Sequence, residues 1–298
     1  MGLWKTDLPR RKVKLDRWED VRFDLEVPWH GDMREHLTQR GLPSTAFDAA
    51  FGTIGGGNHF AELQAVDEVA DAAEFQRLGL SKDELVLLVH SGSRGLGESV
   101  FRMHAAEHRA NGVNDSFESA MEYLLAHDHA ARWAKASRQL IAERFASALG
   151  AAVQPVLDIC HNGIQPRNGL WLHRKGAAAA DEGPIVIAGS RGTYSYLVRP
   201  KGDLESTAWS IAHGAGRKYT RSASKARVRE RFRAEQLTHT PLGGRVICED
   251  RDLLYEEAPM VYKNIETVIA DLESAGLIAV IAILRPVFTY KTRRGFNT

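Results

Sequence analysis

The sequence predicts an α+β protein, mixed β-sheets with surrounding helices, on three observations. Short apolar runs end in glycine or polar residues, as buried strands do. One Ala-rich stretch, from about Ser99 to Gly150, is almost free of Gly and Pro and reads as helix. The 298 residues are 44% hydrophobic and 26% charged with a net charge of +1, the balance of a globular chain that buries a sizeable core without disulfides.

The elements follow in order. Leu85 to Val89 is a compact apolar run that ends at His90 and opens into the loop Ser91-Gly-Ser-Arg-Gly-Leu-Gly97, so it reads as a buried strand. Between Ser99 and Gly150, Met121, Tyr123, Leu124 and Leu125, then Leu140, Ile141, Phe145 and Leu149, fall at helical spacings. Two or three helices are expected, with a break at Asn111-Gly112. Short strands are expected at Val153 to Ile159, Gly169 to His173, Pro184 to Ala188 and Tyr194 to Val198. Met260 to Leu272 reads as a helix and Leu277 to Leu284 as a buried strand. No repeat, low-complexity segment or linker divides residues 1–298, so a single domain is expected.

Composition excludes several classes. Cys160 and Cys248 are too few for a secreted disulfide framework and suit a reducing, cytoplasmic setting. No apolar run reaches spanning length, and the first residues lack a signal-peptide core, so a membrane protein is not expected. The charge is uneven. Arg217, Lys218, Arg221, Lys225, Arg227, Arg229, Arg231 and Arg233 face one acid, Glu230, and Arg285, Lys291, Arg293 and Arg294 close the chain, while Glu249 to Glu257 is acidic. Such a run is either a solvated face or a phosphate-binding track.

Histidines recur beside glycines: Gly55-Gly-Gly-Asn58-His59-Phe-Ala-Glu62, His90-Ser-Gly-Ser-Arg94-Gly, Cys160-His161-Asn162-Gly163 and His213-Gly-Ala-Gly-Arg217. A lone His beside Gly is ordinarily structural. Four at the ends of apolar runs or glycine loops point to a ligand site, because glycine lets backbone approach a phosphate and neutral imidazole suits Zn, Mn, Fe or Cu. Dispersed ligands and the absence of a Cys-x-x-Cys pair argue against a structural zinc.

These motifs, with His173-Arg174-Lys175-Gly176-Ala177 and Gly189-Ser190-Arg191-Gly192-Thr193, stand in the order and approximate spacing of the RtcB family. The resemblance runs from about Gly52 to the C-terminus. It implies an RtcB-like fold and a GTP-dependent RNA ligase that joins 3′-phosphate or 2′,3′-cyclic phosphate ends to 5′-hydroxyl ends, in tRNA splicing or RNA repair, with Mn²⁺. By the same resemblance Asn58, His59, His90 and His161 belong to the manganese and GTP phosphate site. The resemblance makes His213 the nucleophile that becomes guanylylated. Glu62, Ser190, Ser195, Tyr262 and Lys291 resemble guanosine-contacting positions. Arg217, Arg174 and Lys175 are placed to neutralise phosphate, and Arg227, Arg229 and Arg231 to track RNA. For Tyr262 the rival reading is a core aromatic on a helix, and for Lys291 a frayed charged tail.

The chain also departs from the family pattern. An RtcB enzyme has an N-terminal Gly-x-Asp-Ile-Gly-Cys-Gly-Met motif whose Asp and Cys bind metal, and an earlier Asp that orients the nucleophile; neither is here. Met1 resembles the Met that closes this motif, and Gly2 to Leu8 the strand that follows, so the resemblance implies a domain lacking the family's N-terminal segment. Cys160, beside His161, is no substitute for the missing Cys. Ala188 stands where many relatives have Pro and Arg191 where many have Met; Arg191 is either at the nucleotide or RNA entrance or a solvent-facing loop residue. The opening Leu-Trp-Lys-Thr-Asp-Leu-Pro resembles the branch associated with a release-factor homologue, which implies a functional link to one. Two other readings stay open: a metal-dependent phosphoesterase that opens 2′,3′-cyclic phosphates, and an inactive RNA-binding relative.

Overall fold

The computed structural model describes residues 1–109, 112–113 and 118–293. Asn111, half of the expected helix break, and the terminal Arg294 fall outside the described residues.

Along the chain, β1 (Gly2–Pro9) precedes the short helices α1 (Leu15–Trp18) and α2 (Met33–Thr38), then β2 (Phe60–Val69), α3 (Ala72–Arg77) and β3 (Glu84–His90). Helices α4 (Arg94–His108) and α5 (Glu118–Ala148) lead to β4 (Val153–Asp158), β5 (Asn162–Arg167), β6 (Leu170–Lys175) and β7 (Ala177–Ala179). β8 (Ile185–Ile187), β9 (Ser195–Pro200) and β10 (Ser210–Ala212) precede α6 (Arg221–Arg229). β11 (Arg245–Cys248), α7 (Arg251–Glu256), α8 (Ile265–Ser274) and β12 (Ile278–Thr292) follow.

The main sheet runs β4-β1-β3-β2-β12-β9-β8, all antiparallel, and β11 pairs β12 in parallel. Two small pairs, β7 with β10 and β5 with β6, stand apart from it. One face of the sheet packs on α5 through Trp4, Leu63, Leu87, Ile141, Phe145 and Phe288. The other face buries Leu3, Val66, Val86, Leu88, Leu197 and Ile281. The continuous run Leu85 to Val89 is thus apolar because both faces of β3 are covered.

The α+β class and the strands expected at Leu85, Val153, Gly169, Pro184 and Tyr194 are present within a few residues. Helix α4 starts at Arg94, inside the expected glycine loop. Glycine at position 95 fits because a Cβ there would lie 2.8 Å from the Phe47 ring. The helix expected from Met260 is instead a 3-10 turn at Pro259–Val261, an extended Tyr262, and α8, whose start Asn264 caps by accepting from the Thr267 N–H at 3.1 Å. The last strand continues beyond Leu284 to Thr292, with a register shift around Pro286, which has no N–H for the ladder. Strand β2 escaped the hydrophobic pattern because its buried positions include Glu62 and Gln64.

Candidate active site

The histidines converge because each ends or precedes a paired strand. Phe60 of β2 pairs with His90 of β3, which sets His59 and His90 side by side with ring centroids 6.0 Å apart. His161, just before β5, lies 5.0 Å from His90 and stacks on His213 at 4.2 Å with rings 11° from parallel. His213, just after β10, lies 6.3 Å from His90. Burial holds all four imidazoles toward the neutral form: His59 is drawn down to about 4, His161 to about 2, His90 well below its ordinary value, and His213 below it too.

His213 Nδ1 lies 2.5 Å from the Gly176 carbonyl. A carbonyl only accepts, so Nδ1 carries the proton and Nε2 keeps its lone pair. The loop after His213 approaches Ala188 closely. A Cβ on Gly214 would stand 2.9 Å from the Ala188 carbonyl oxygen, while Ala188 and Ala215 donate backbone N–H groups to His213 and Ala188.

His213 and His90 open onto a cavity of about 290 Å³. Asn58, Glu62, Ser190, Arg217, Tyr262 and Lys291 also line it, so eight of the expected residues share one space. Ser195 does not line it: it is buried in β9, its Oγ accepting from Gln64 Nε2 at 3.0 Å and from the Gly189 N–H at 3.3 Å. His59 and His161 stand beside His90 and His213 but do not line the cavity.

Charge is dense and buried here. Glu62 accepts from Gln64 Nε2 at 2.6 Å and Thr289 Oγ1 at 2.5 Å, yet burial pushes its carboxyl up to about 7. Lys291 is buried on β12 and donates to the His59 carbonyl at 3.0 Å; burial lowers it to about 8. Glu257 accepts from Arg217 at 2.9 Å and from the Tyr262 hydroxyl, and Arg221 lies 3.6 Å from it. Burial, then the Glu257 charge, raises the Tyr262 phenol. The sequence reading missed Glu257, because it ends an acidic run taken as compensating charge, and Thr289, whose signal is its register opposite Glu62.

Other expected residues lie elsewhere. Arg174 is buried and donates to Gln165, to Ser210 Oγ at 2.9 Å and to the Trp209 carbonyl at 3.0 Å, all within the protein. Lys175 is exposed at the end of β6. On and beyond α6, Arg227 stacks 4.5 Å over Tyr219, Arg229 pairs with Asp252, and Arg231 is exposed.

Neutral imidazoles fit a manganese-type ion in donor chemistry, and His59 Nδ1 is buried with no hydrogen-bond partner. No group of three His, Cys, Asp or Glu side chains among the described residues is arranged to hold an ion. Cys160 is exposed, its Sγ 2.9 Å from the Asn162 carbonyl oxygen.

A family model described as "tRNA-splicing ligase RtcB" matches residues 30–292. The chain is 44% identical to the RNA-splicing ligase RtcB2 of Escherichia coli, over 99% of this chain and 79% of that protein. It is 31% identical to the tRNA-splicing ligase RtcB of Pyrococcus horikoshii over 95% of this chain, and 29% identical to that of Methanococcus maripaludis over 92%. The chain spans 36% and 66% of those two proteins. The chain belongs to the RtcB family.

Proposed function

We propose that the protein is a GTP- and Mn²⁺-dependent RNA ligase that joins RNA 3′-phosphate or 2′,3′-cyclic phosphate ends to 5′-hydroxyl ends through a guanylylated His213. The observation that carries this reading is the His213 ring, proton fixed on Nδ1 by the Gly176 carbonyl and bare Nε2 beside the cavity. Family membership supplies the reaction class, and RtcB2 of Escherichia coli and its relatives are named as RNA-splicing or tRNA-splicing ligases. Cytoplasmic action and a functional link to a release-factor homologue belong to the same reading. No helix among the described residues is long and apolar enough to cross a membrane.

Nε2 attacks the α-phosphorus of GTP; the N–P bond forms as the bond to the bridging oxygen breaks, and pyrophosphate leaves with that electron pair. Nδ1–H stays on Gly176, which shares the positive charge that develops on the ring. An RNA 3′-phosphate oxygen then attacks the same phosphorus and returns the histidine neutral. Gly214 leaves room beside the nucleophile, and Arg217, held by Glu257, offers positive charge on the cavity wall. His59, His90 and His161, with Asn58, have the donor chemistry that would hold manganese once drawn together around it, and the ion would neutralise phosphate charge there.

Incubation with α-labelled GTP and MnCl₂ tests this. An acid-labile protein adduct is expected, absent from His213→Ala. An undiminished adduct in that variant overturns the assignment, and cyclic-phosphate opening without any adduct favours a phosphoesterase.

A further inference from the structure

The cavity that His90 and His213 line also holds a buried cation that the transfer chemistry does not use. Arg191 is 6% exposed; its Nη2 donates to the Leu254 carbonyl at 2.7 Å, and its Nε and Nη1 have no hydrogen-bond partner. The carboxylates nearest in charge are engaged elsewhere, Glu62 with Gln64 and Thr289, Glu257 with Arg217 and Tyr262. Burying a guanidinium with donors unmet is costly, so a ligand acceptor reaching this wall is favoured.

Its place in the cavity identifies which part of a ligand that is. Arg191 stands among Glu62, Cys248, Glu257 and Tyr262, whereas His213 stands among His90, His161 and Gly176. The reacting phosphorus lies at the histidine end, which leaves the nucleobase for the end of Arg191. Guanine presents two adjacent acceptors, N7 and O6, that a guanidinium fork matches; adenine presents N7 and an amino donor. Glu62 lines the same cavity, with its two oxygens already taken by Gln64 and Thr289, so the guanidinium of Arg191 is the group left to read the base.

We infer that Arg191 donates to N7 and O6 of the bound guanine and is a specificity-determining residue of this chain. The inference rests on the guanylyl-transfer reading above.

The test titrates GTP, 7-deaza-GTP and ATP by calorimetry with MnCl₂ present, in a His213→Ala background where no transfer follows binding. Replacing N7 by C–H should weaken binding about tenfold, the scale of one base-edge contact. In His213→Ala/Arg191→Met, GTP and 7-deaza-GTP should bind alike and the preference over ATP should shrink. Equal binding of GTP and 7-deaza-GTP while Arg191 is present overturns the inference and leaves the GTP reading standing. A 7-deaza penalty that persists in Arg191→Met also overturns it, since another group would then read N7. Failure of GTP to bind at all removes both readings, and the comparison made with Arg191 in place does not depend on the folding of the double variant.

Discussion

Glu62 shows how one buried side chain writes a measurable slope into the protein. Its carboxyl is pushed from an ordinary 4.5 up to about 7, chiefly by burial, while Thr289 and Gln64 pull the other way. Between these values the native state holds a proton that the unfolded chain has released. The stabilising contribution is therefore complete below about 4.5 and is lost as pH rises to about 7. Glu62→Gln keeps the shape without titrating. We expect wild type to lose stability relative to Glu62→Gln between pH 5 and 7 in paired urea melts; a constant difference would mean that Glu62 is solvated. The sequence motif named Glu62 but not its state, because charge and burial here depend on which residue of a distant strand stands opposite. The same holds for Lys291. Its place near the C-terminus suits a frayed tail equally well, and only pairing of β12 with β2 and β11 buries it.

Helix α5 carries more than its apolar face. Arg138, on that helix, donates through Nε to Asp158 at 3.0 Å and through Nη1 to the Ser91 carbonyl at 2.9 Å, with both side chains of the ion pair under a tenth exposed. One residue thus fixes the end of β4 against the loop that follows His90. Replacing Arg138 by Met would leave Asp158 buried and unpaired, and we expect a loss of about 3–5 kcal/mol in denaturant unfolding. A loss below about 1 kcal/mol would place Asp158 in water, at the level of a surface pair. Helix α6 is the opposite case, an element whose chemistry the one-dimensional spacing misstates. Arg227, Arg229 and Arg231 alternate in sequence, but alternation puts side chains on one face only in a strand. In the helix, Arg227 turns to Tyr219 and Arg229, with Lys225, to Asp252 of α7. Neutralising Arg227 and Arg231 should each remove about 0.7 from the slope of log K for RNA against log salt if each meets a phosphate, whereas Arg229 should mainly weaken α6 against α7. Filter binding over a salt series reads the first effect and thermal melting the second. An unchanged slope in the double variant would make this a solvated face.

Across the whole molecule, residues gathered from Asn58 to Lys291 meet because β2, β3 and β12 lie side by side while β10 sets His213 beside β8. The glycine-flanked motifs made the site's membership legible, since close backbone approach leaves a mark in composition. The distribution of its charges was not, since it follows from register and burial: the sequence left Arg191 open between a nucleotide entrance and a solvent-facing loop, and no motif singled out Glu257 or Thr289. That distribution gives the protein a defined acid limit. His59, His90, His161 and His213 are all held below their ordinary 6.5 by burial, so below that pH the unfolded chain binds protons that the native state refuses. Stability therefore falls as pH drops from about 6.5 toward 4. Glu62 slopes the other way over part of that range, but it is one group against four. The net expectation for metal-free protein is unfolding free energy that rises from pH 5 to 6.5, measured by urea denaturation in chelator. His161→Ala should flatten the rise, because it removes one strongly shifted group and, by unpacking His213 and His90, relaxes their shifts in the same direction. A flat wild-type profile would mean that the histidines take up protons in the native state, and the neutral Nε2 that the nucleophile requires would then exist only above their shared titration.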